Sequence, residues 1–365
     1  MAIRKVGVLG AGTMGSGIAQ SAAQNGYSVV MVDTNDAAVG RALDGAAKTW
    51  DRGVEKGRLT EKDAEAAKTN LSASASIDDL HDADLVIEAV FEDFDVKATQ
   101  FRTLSDIARA DAILATNTSS FRVDDLAQHV AEPGRFLGMH YFVPANINKL
   151  VEVVRGERTE DGTFAAALAF AKATKKEPLA CRDSYGFVVN RFFCPCVNEA
   201  VRLVDEGHTQ ERVDAVSRRV FGAPLGALTV MNLSKARIAM NACRTLGRLG
   251  AFYEPCAGLI RMGEADAAWD FGDEPPADDA ADTVIADRLR GATYLAALEL
   301  LDEEVAEADG IDLGAFHGLR WETTPCAAMD TLGPDETRRI VDAVAALYGR
   351  ETPRSTARAG GFLAG

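Results

Sequence analysis

Five histidines occur in the chain, and one of them, His140, ends a short apolar run, Phe136-Leu137-Gly138-Met139-His140, of the kind that forms a buried strand. Glu152 lies inside a second such run, Leu150-Val151-Glu152-Val153-Val154. A glutamate flanked by Val and Leu is costly to bury alone, which predicts a partner, and His140 is the obvious one. A histidine with near-neutral pKa, oriented by a carboxylate, is suited to take the hydroxyl proton of a secondary alcohol as hydride leaves the same carbon. On these two residues alone a structural His–Glu ion pair is an equally good reading. His81, His129, His208 and His317 sit in polar stretches and read as solvated surface residues.

The amino-terminal stretch supplies a second component of that chemistry. Val6-Gly7-Val8-Leu9 reads as a buried strand passing into Gly10-Ala11-Gly12-Thr13-Met14-Gly15 and then into a helix over Ser16 to Gln24. In such a GxGxxG turn the first glycine permits the tight bend, the second lets the backbone approach a pyrophosphate, and the third lets helix and strand pack closely. The N–H groups at the helix start bind the anion, so Gly10, Ala11, Gly12, Thr13, Met14 and Gly15 form the expected cradle. Isolated GxGxxG turns are common; the flanking strand and helix, and Asp33 at the end of the next β-branched run, give this one its weight. A carboxylate there accepts hydrogen bonds from ribose hydroxyls and repels a 2′-phosphate, which favours NAD over NADP. Thr116-Asn117-Thr118-Ser119-Ser120 and Tyr185 to Arg191, which contains Asn190, add hydroxyls and amides at element ends, where helix capping is the ordinary alternative.

Taken in order, GAGTMGSGIAQ, Asp33, the stretch from Asp84 to Glu92, Lys97, TNTSS at 116–120, His140-Tyr141-Phe142-Val143-Pro144, LVEVV at 150–154 and GFVVNR at 186–191 resemble the 3-hydroxyacyl-CoA dehydrogenase family over most of the chain. The resemblance implies NAD as cofactor and oxidation of a (3S)-3-hydroxyacyl-CoA to the 3-oxoacyl-CoA. It makes His140 the general base and Glu152 its partner. It sets Ser119 and Asn190 on the substrate's hydroxyl or thioester oxygen, and Glu92, Lys97 and Ser119 beside NAD. It gives Thr49 and Lys56 as CoA contacts, although Lys56 reads equally well as a surface lysine. The helical half resembles the family's C-terminal domain seen twice, as in the dehydrogenase part of multifunctional fatty-acid oxidation proteins. A homodimer is compatible with this, and so is a monomer in which the second helical copy takes the place of a partner subunit.

Three positions depart from the family pattern. Val143 stands where an asparagine usually contacts the nicotinamide end of NAD, with Asn146 and Asn148 as the nearest amides. Val230-Met231-Asn232-Leu233-Ser234-Lys235 replaces an aspartate-containing segment beside the acyl pocket, and the acidic stretch 263–282 has no counterpart. Two rival readings remain: a dehydrogenase of a non-CoA hydroxy acid or sugar acid, and a catalytically silent NAD-binding protein.

The elements that must position these residues follow from the hydrophobic pattern. Strands are expected at 5–9, 28–32, 85–89, 113–116, 136–140 and 151–154, with a helix pair over 37–68 turning at 57–60. The fold class is therefore α/β, a Rossmann-type, mostly parallel sheet with an inserted helix pair, followed by an all-α C-terminal region of two repeats. Arg191 and Arg288, and Glu206 and Glu303, share one offset of 97 residues, which suggests duplication. Expected domains are 1–184, 185–283 including the acidic linker, and 284–365. At 365 residues the chain is too long for one ordinary core. A net charge of -16 disfavours binding along a nucleic-acid backbone, and no apolar run is long enough to span a membrane. Six cysteines without metal-site spacing read as reduced core thiols, no metal is expected, and a cytoplasmic location is the default.

Overall fold

The computed structural model describes residues 3–363, in two compact units that divide after Asp183. The first contains β1 (Lys5–Leu9), α1 (Thr13–Gln24), β2 (Ser28–Val32), α2 (Asp36–Glu55), α3 (Glu61–Asn70), β3 (Leu71–Ser74), β4 (Leu85–Glu88), α4 (Phe94–Ile107), β5 (Ile113–Thr116), α5 (Val123–Leu126), β6 (Phe136–Tyr141), β7 (Leu150–Arg155), α6 (Asp161–Ala173) and β8 (Glu177–Arg182). The strands form one sheet in the order β3-β2-β1-β4-β5-β6-β7-β8. Only the β6–β7 pairing is antiparallel. Chain order reverses at β1, whose neighbours are β2 and β4, and in open sheets ligands bind outside the carboxyl ends of strands at such a point.

The six expected strands are present, and two more join them. β3 reads Leu-Ser-Ala-Ser and β8 reads Glu-Pro-Leu-Ala-Cys-Arg, both without the β-branched or aromatic residues that signal a strand. They are the two sheet edges, where Pro178 costs no ladder bond in the sheet interior. The helix pair is α2 and α3, with Gly57 at φ +64 in the turn and the Thr60 side chain accepting from Asp63 N at the start of α3. Trp50 anchors α2, buried with its indole N–H 3.1 Å from Gln24 Oε1.

The second unit is helical: α7 (Val189–Asp205), α8 (Gln210–Phe221), α9 (Ala227–Ser234), α10 (Ala236–Leu246), α11 (Ala257–Glu264), α12 (Asp279–Asp302), α13 (Ala308–Leu319) and α14 (Pro325–Leu347), the last broken at Gly333. The boundary expected at 283/284 falls inside α12, which packs on α7, α8 and α14, and the described residues from Ser184 onward form one compact unit. Residues at the 97-residue offset are cross-paired. Arg191 meets Glu303 at 2.5 Å, while Arg288 meets Glu206 at 3.1 Å. Tyr253 donates to Glu299, and Tyr348 to Glu199. Asp214 accepts from Thr229 N near the start of α9, and Asp312 accepts from Cys326 N and Ala327 N at the start of α14.

The acidic stretch forms the irregular connection from α11 to α12, but it is tethered rather than simply solvated. Trp269 is buried and exchanges two hydrogen bonds with Asn232, while Glu274 and Asp282 pair with Arg212, Arg218 and Arg219 of α8. Lys235 also reaches Asp266, so the altered 230–235 segment and the acidic stretch form one structural feature. All six cysteines are buried free thiols. Among the described residues no helix is long and apolar enough to cross a membrane.

Candidate active site

The glycine loop joins β1 to α1. A Cβ on Gly15 would lie 1.9 Å from the Gly10 carbonyl oxygen, and one on Gly10, at φ +114, 2.5 Å from Ala89 O, so neither position accepts a side chain. A Cβ on Gly12 would meet nothing within 4 Å. That open space lies at the N-cap of α1, which has no side-chain cap and no acidic residue in its first turn. The first-turn N–H groups of Thr13, Met14 and Gly15 are thus left for an anion, and the loop fits a dinucleotide's pyrophosphate. Asp33 stands at the end of β2, one carboxylate oxygen accepting from Ala11 N at 2.9 Å and the other from Asn35 N at 2.9 Å. It braces the loop, and a carboxylate retains acceptor capacity for ribose hydroxyls.

His140 and Glu152 are register partners on antiparallel β6 and β7. Directly opposed residues project from the same face, and here Nδ1 lies 2.6 Å from Glu152 Oε2. Glu152 is fully buried and His140 nearly so. With Nδ1 held against the carboxylate, Nε2 is the ring atom whose lone pair can take a proton. The Phe142 ring lies 4.7 Å from the imidazole.

The TNTSS stretch leaves β5 beside this pair. Asn117 Oδ1 accepts from Tyr141 N at 2.8 Å, tying the loop to the residue after His140. Beneath it is a network that includes Glu88, to which the sequence reading assigns no role. Glu88 accepts from Lys97 at 2.6 Å, Val90 N at 2.8 Å and Thr116 Oγ1 at 2.7 Å. Lys97, expected beside NAD, is buried, its ammonium on Glu88 and 3.2 Å from Glu92. Glu92 in turn accepts from the Thr118 hydroxyl, Ser119 N and Ser120 N. Desolvation would raise the Glu92 carboxyl, but the Lys97 charge and the Thr118 and Ser119 donors outweigh it and hold the group below its ordinary value. Ser119 is partly exposed, with its hydroxyl beside Glu92 and Ser120.

Thr49 and Lys56 are both exposed, seven positions apart along α2 and its C-cap, and therefore on one helix face. Asn190 belongs to the helical unit, in the first turn of α7. Val143 is exposed in the loop between β6 and β7. The two amides near it are partly buried and engaged within the sheet unit: Asn146 donates to Gln20 Oε1, and Asn148 Oδ1 accepts from Leu150 N.

Residues 5–184 match the model of the 3-hydroxyacyl-CoA dehydrogenase NAD-binding domain, and residues 186–267 that of the 3-hydroxyacyl-CoA dehydrogenase C-terminal domain. The chain is 36% identical over 272 residues to a probable 3-hydroxybutyryl-CoA dehydrogenase of Bacillus subtilis, covering 73% of this chain and 93% of that protein. It is 39% identical over 232 residues to the fatty acid oxidation complex subunit alpha of Colwellia psychrerythraea, covering 64% of this chain but only 32% of that much longer relative. The crystal structure of an Escherichia coli 3-hydroxybutyryl-CoA dehydrogenase superposes with a TM-score of 0.89 over 98% of each chain, at 24% identity, and so shares the fold. On these matches the chain belongs to the 3-hydroxyacyl-CoA dehydrogenase family of NAD-dependent oxidoreductases.

Proposed function

We propose that the protein reversibly oxidises the 3-hydroxyl of a (3S)-3-hydroxyacyl-CoA, with His140 as general base. The observation that carries this reading is the 2.6 Å contact between His140 Nδ1 and the buried Glu152, on strands that end beside the TNTSS loop. Bound NAD supplies the hydride acceptor. Glu152 fixes the imidazole so that Nε2 meets the substrate hydroxyl, and its charge stabilises the imidazolium formed when that proton arrives. Low solvent access strengthens this electrostatic term.

Ser119 and Asn190 would orient the hydroxyl or thioester oxygen, and the Glu88–Lys97–Glu92 network supports Ser119 by holding its loop. Asp33 would bind the adenosine ribose, and the exposed face bearing Thr49 and Lys56 would meet CoA. NADH formation measured on a panel of 3-hydroxyacyl-CoA thioesters of varied acyl group, beside free 3-hydroxybutyrate and gulonate, tests the substrate class. Turnover confined to thioesters is expected. Turnover of the free acids instead would overturn the CoA assignment, and NAD binding without any turnover would favour a silent binding protein.

A further inference from the structure

Lys176 lies in the turn between α6 and β8, within the sequence Thr174-Lys175-Lys176-Glu177, which reads as ordinary charged surface. The structure instead buries it, at 5% exposure. Its ammonium donates to two backbone carbonyls, Ala145 O at 2.5 Å and Asn148 O at 2.7 Å. Both belong to the loop between β6 and β7 that starts two residues after His140 and carries Val143. No carboxylate pairs with Lys176 among the described residues, and burial pulls its pKa down to about 8. An ammonium kept out of water without a counter-charge is costly, and here two backbone carbonyls are the groups that offset that cost.

The same loop rests on the cofactor helix. A Cβ on Gly17 of α1 would lie 3.0 Å from Ala145 Cβ and 3.2 Å from Asn146 N, and Asn146 donates to Gln20 on that helix. The segment thus runs from the histidine to the helix that begins at the glycine loop, gripped on its far side by Lys176. Its outward side chains, Val143 and Ile147, are exposed and apolar and offer no hydrogen bond with which to fix the loop on a cofactor.

We propose that Lys176 is a positioning residue that holds the 142–149 loop by its backbone, so that the nicotinamide end of NAD is seated against His140 without the amide that Val143 replaces. It touches neither cofactor nor substrate and acts through Ala145 and Asn148. The proposal rests on the dehydrogenase reading for the word nicotinamide, but the hold on the loop is a property of the protein alone.

Lys176→Met and Lys176→Arg test it by amide hydrogen exchange on the cofactor-free protein, by calorimetric titration with NAD and by steady-state kinetics. In Lys176→Met the amides of Val143 and of residues 145–148 should exchange about tenfold faster while those of β6 and β7 stay as in the wild type. The NAD Kd and KM should rise about tenfold, with a smaller change in kcat, and Lys176→Arg, which keeps the charge and donors, should recover most of the loss. Unchanged exchange in the loop would overturn the assignment, and so would faster exchange across the whole sheet unit or unaltered NAD affinity. Absence of NAD binding by the wild type would instead fail the dehydrogenase reading and leave the loop claim to the exchange data.

Discussion

The sheet unit and the helical unit both bury carboxylates beside cationic or basic groups, but they assemble them differently. In the sheet unit the partners are near in sequence: His140 and Glu152 are 12 residues apart and Glu88 and Lys97 nine, joined through neighbouring strands or a strand and the following helix. In the helical unit they are distant, 112 residues for Arg191 and Glu303 and 82 for Arg288 and Glu206. Each of the helical pairs joins one half of the unit to the other, and the pairing is reciprocal, as in an isologous interface where residue i meets j and j's counterpart meets i's. On the proposed mechanism, the contrast separates a pair that exchanges a proton from pairs whose partners never need to change charge. Guanidinium groups stay protonated, whereas imidazole titrates near neutrality.

The reciprocal halves are not equivalent, and that difference can be broken experimentally. Arg191 is buried, with Glu303, Ser184 and Tyr253 around its guanidinium, whereas the Arg288 side chain keeps 18% of its exposure; the partners Glu303 and Glu206 are similarly exposed, and Arg288 also meets the buried Glu199 at 2.6 Å. Arg191→Met should therefore destabilise the helical unit by about 3 kcal/mol, because it strips the buried Tyr253 oxygen, the Ser184 hydroxyl and the Glu299 and Glu303 carboxylates of a buried cationic donor. Arg288→Met should cost about half as much, since its guanidinium is partly screened by water and the Tyr348 hydroxyl still donates to the buried Glu199 that it leaves behind. Denaturant unfolding of the two variants measures both. Equal losses would mean that burial does not set the ranking.

A smaller effect distinguishes the glycines of the cofactor loop. Gly12→Ala finds open space in the protein and should leave the Tm within about 2 °C of wild type, yet raise the NAD Kd about tenfold by crowding the pyrophosphate. Gly15→Ala should lower the Tm itself, since its Cβ would overlap a backbone oxygen that cannot yield. Reversal of these two phenotypes would show that the turn is not built to admit an anion at Gly12.

Much of this was legible in the chain because it is local. The GxGxxG turn, Asp33 after its strand, and a histidine and glutamate in two short apolar runs are patterns within a few residues, and strand registry does the rest. What escaped depends on contacts that no local pattern encodes. β3 and β8 are edge strands of small or polar residues whose conformation is imposed by pairing with β2 and β7. Lys176 sits in a charged stretch resembling solvated surface, and only the fold shows it buried under a loop beside His140; resemblance sets Lys97 beside NAD, and only the fold shows it buried on Glu88 and Glu92. The two departures at 230–235 and 263–282 are separate in the sequence, and only the fold bonds Asn232 to Trp269. Asn117 belonged to a recognised motif, but its bond to Tyr141 N appears only once β5 and β6 lie side by side.

The central claim, that His140 and Glu152 act as one proton-accepting unit, is tested most directly by a double-mutant cycle on kcat for oxidation of (3S)-3-hydroxybutyryl-CoA. His140→Ala should lower kcat by about 10²-fold or more and Glu152→Gln by a comparable factor. The double variant should be no slower than His140→Ala, because the carboxylate works only through the imidazole. Near-wild-type turnover in His140→Ala, or losses that multiply in the double variant, would contradict the account.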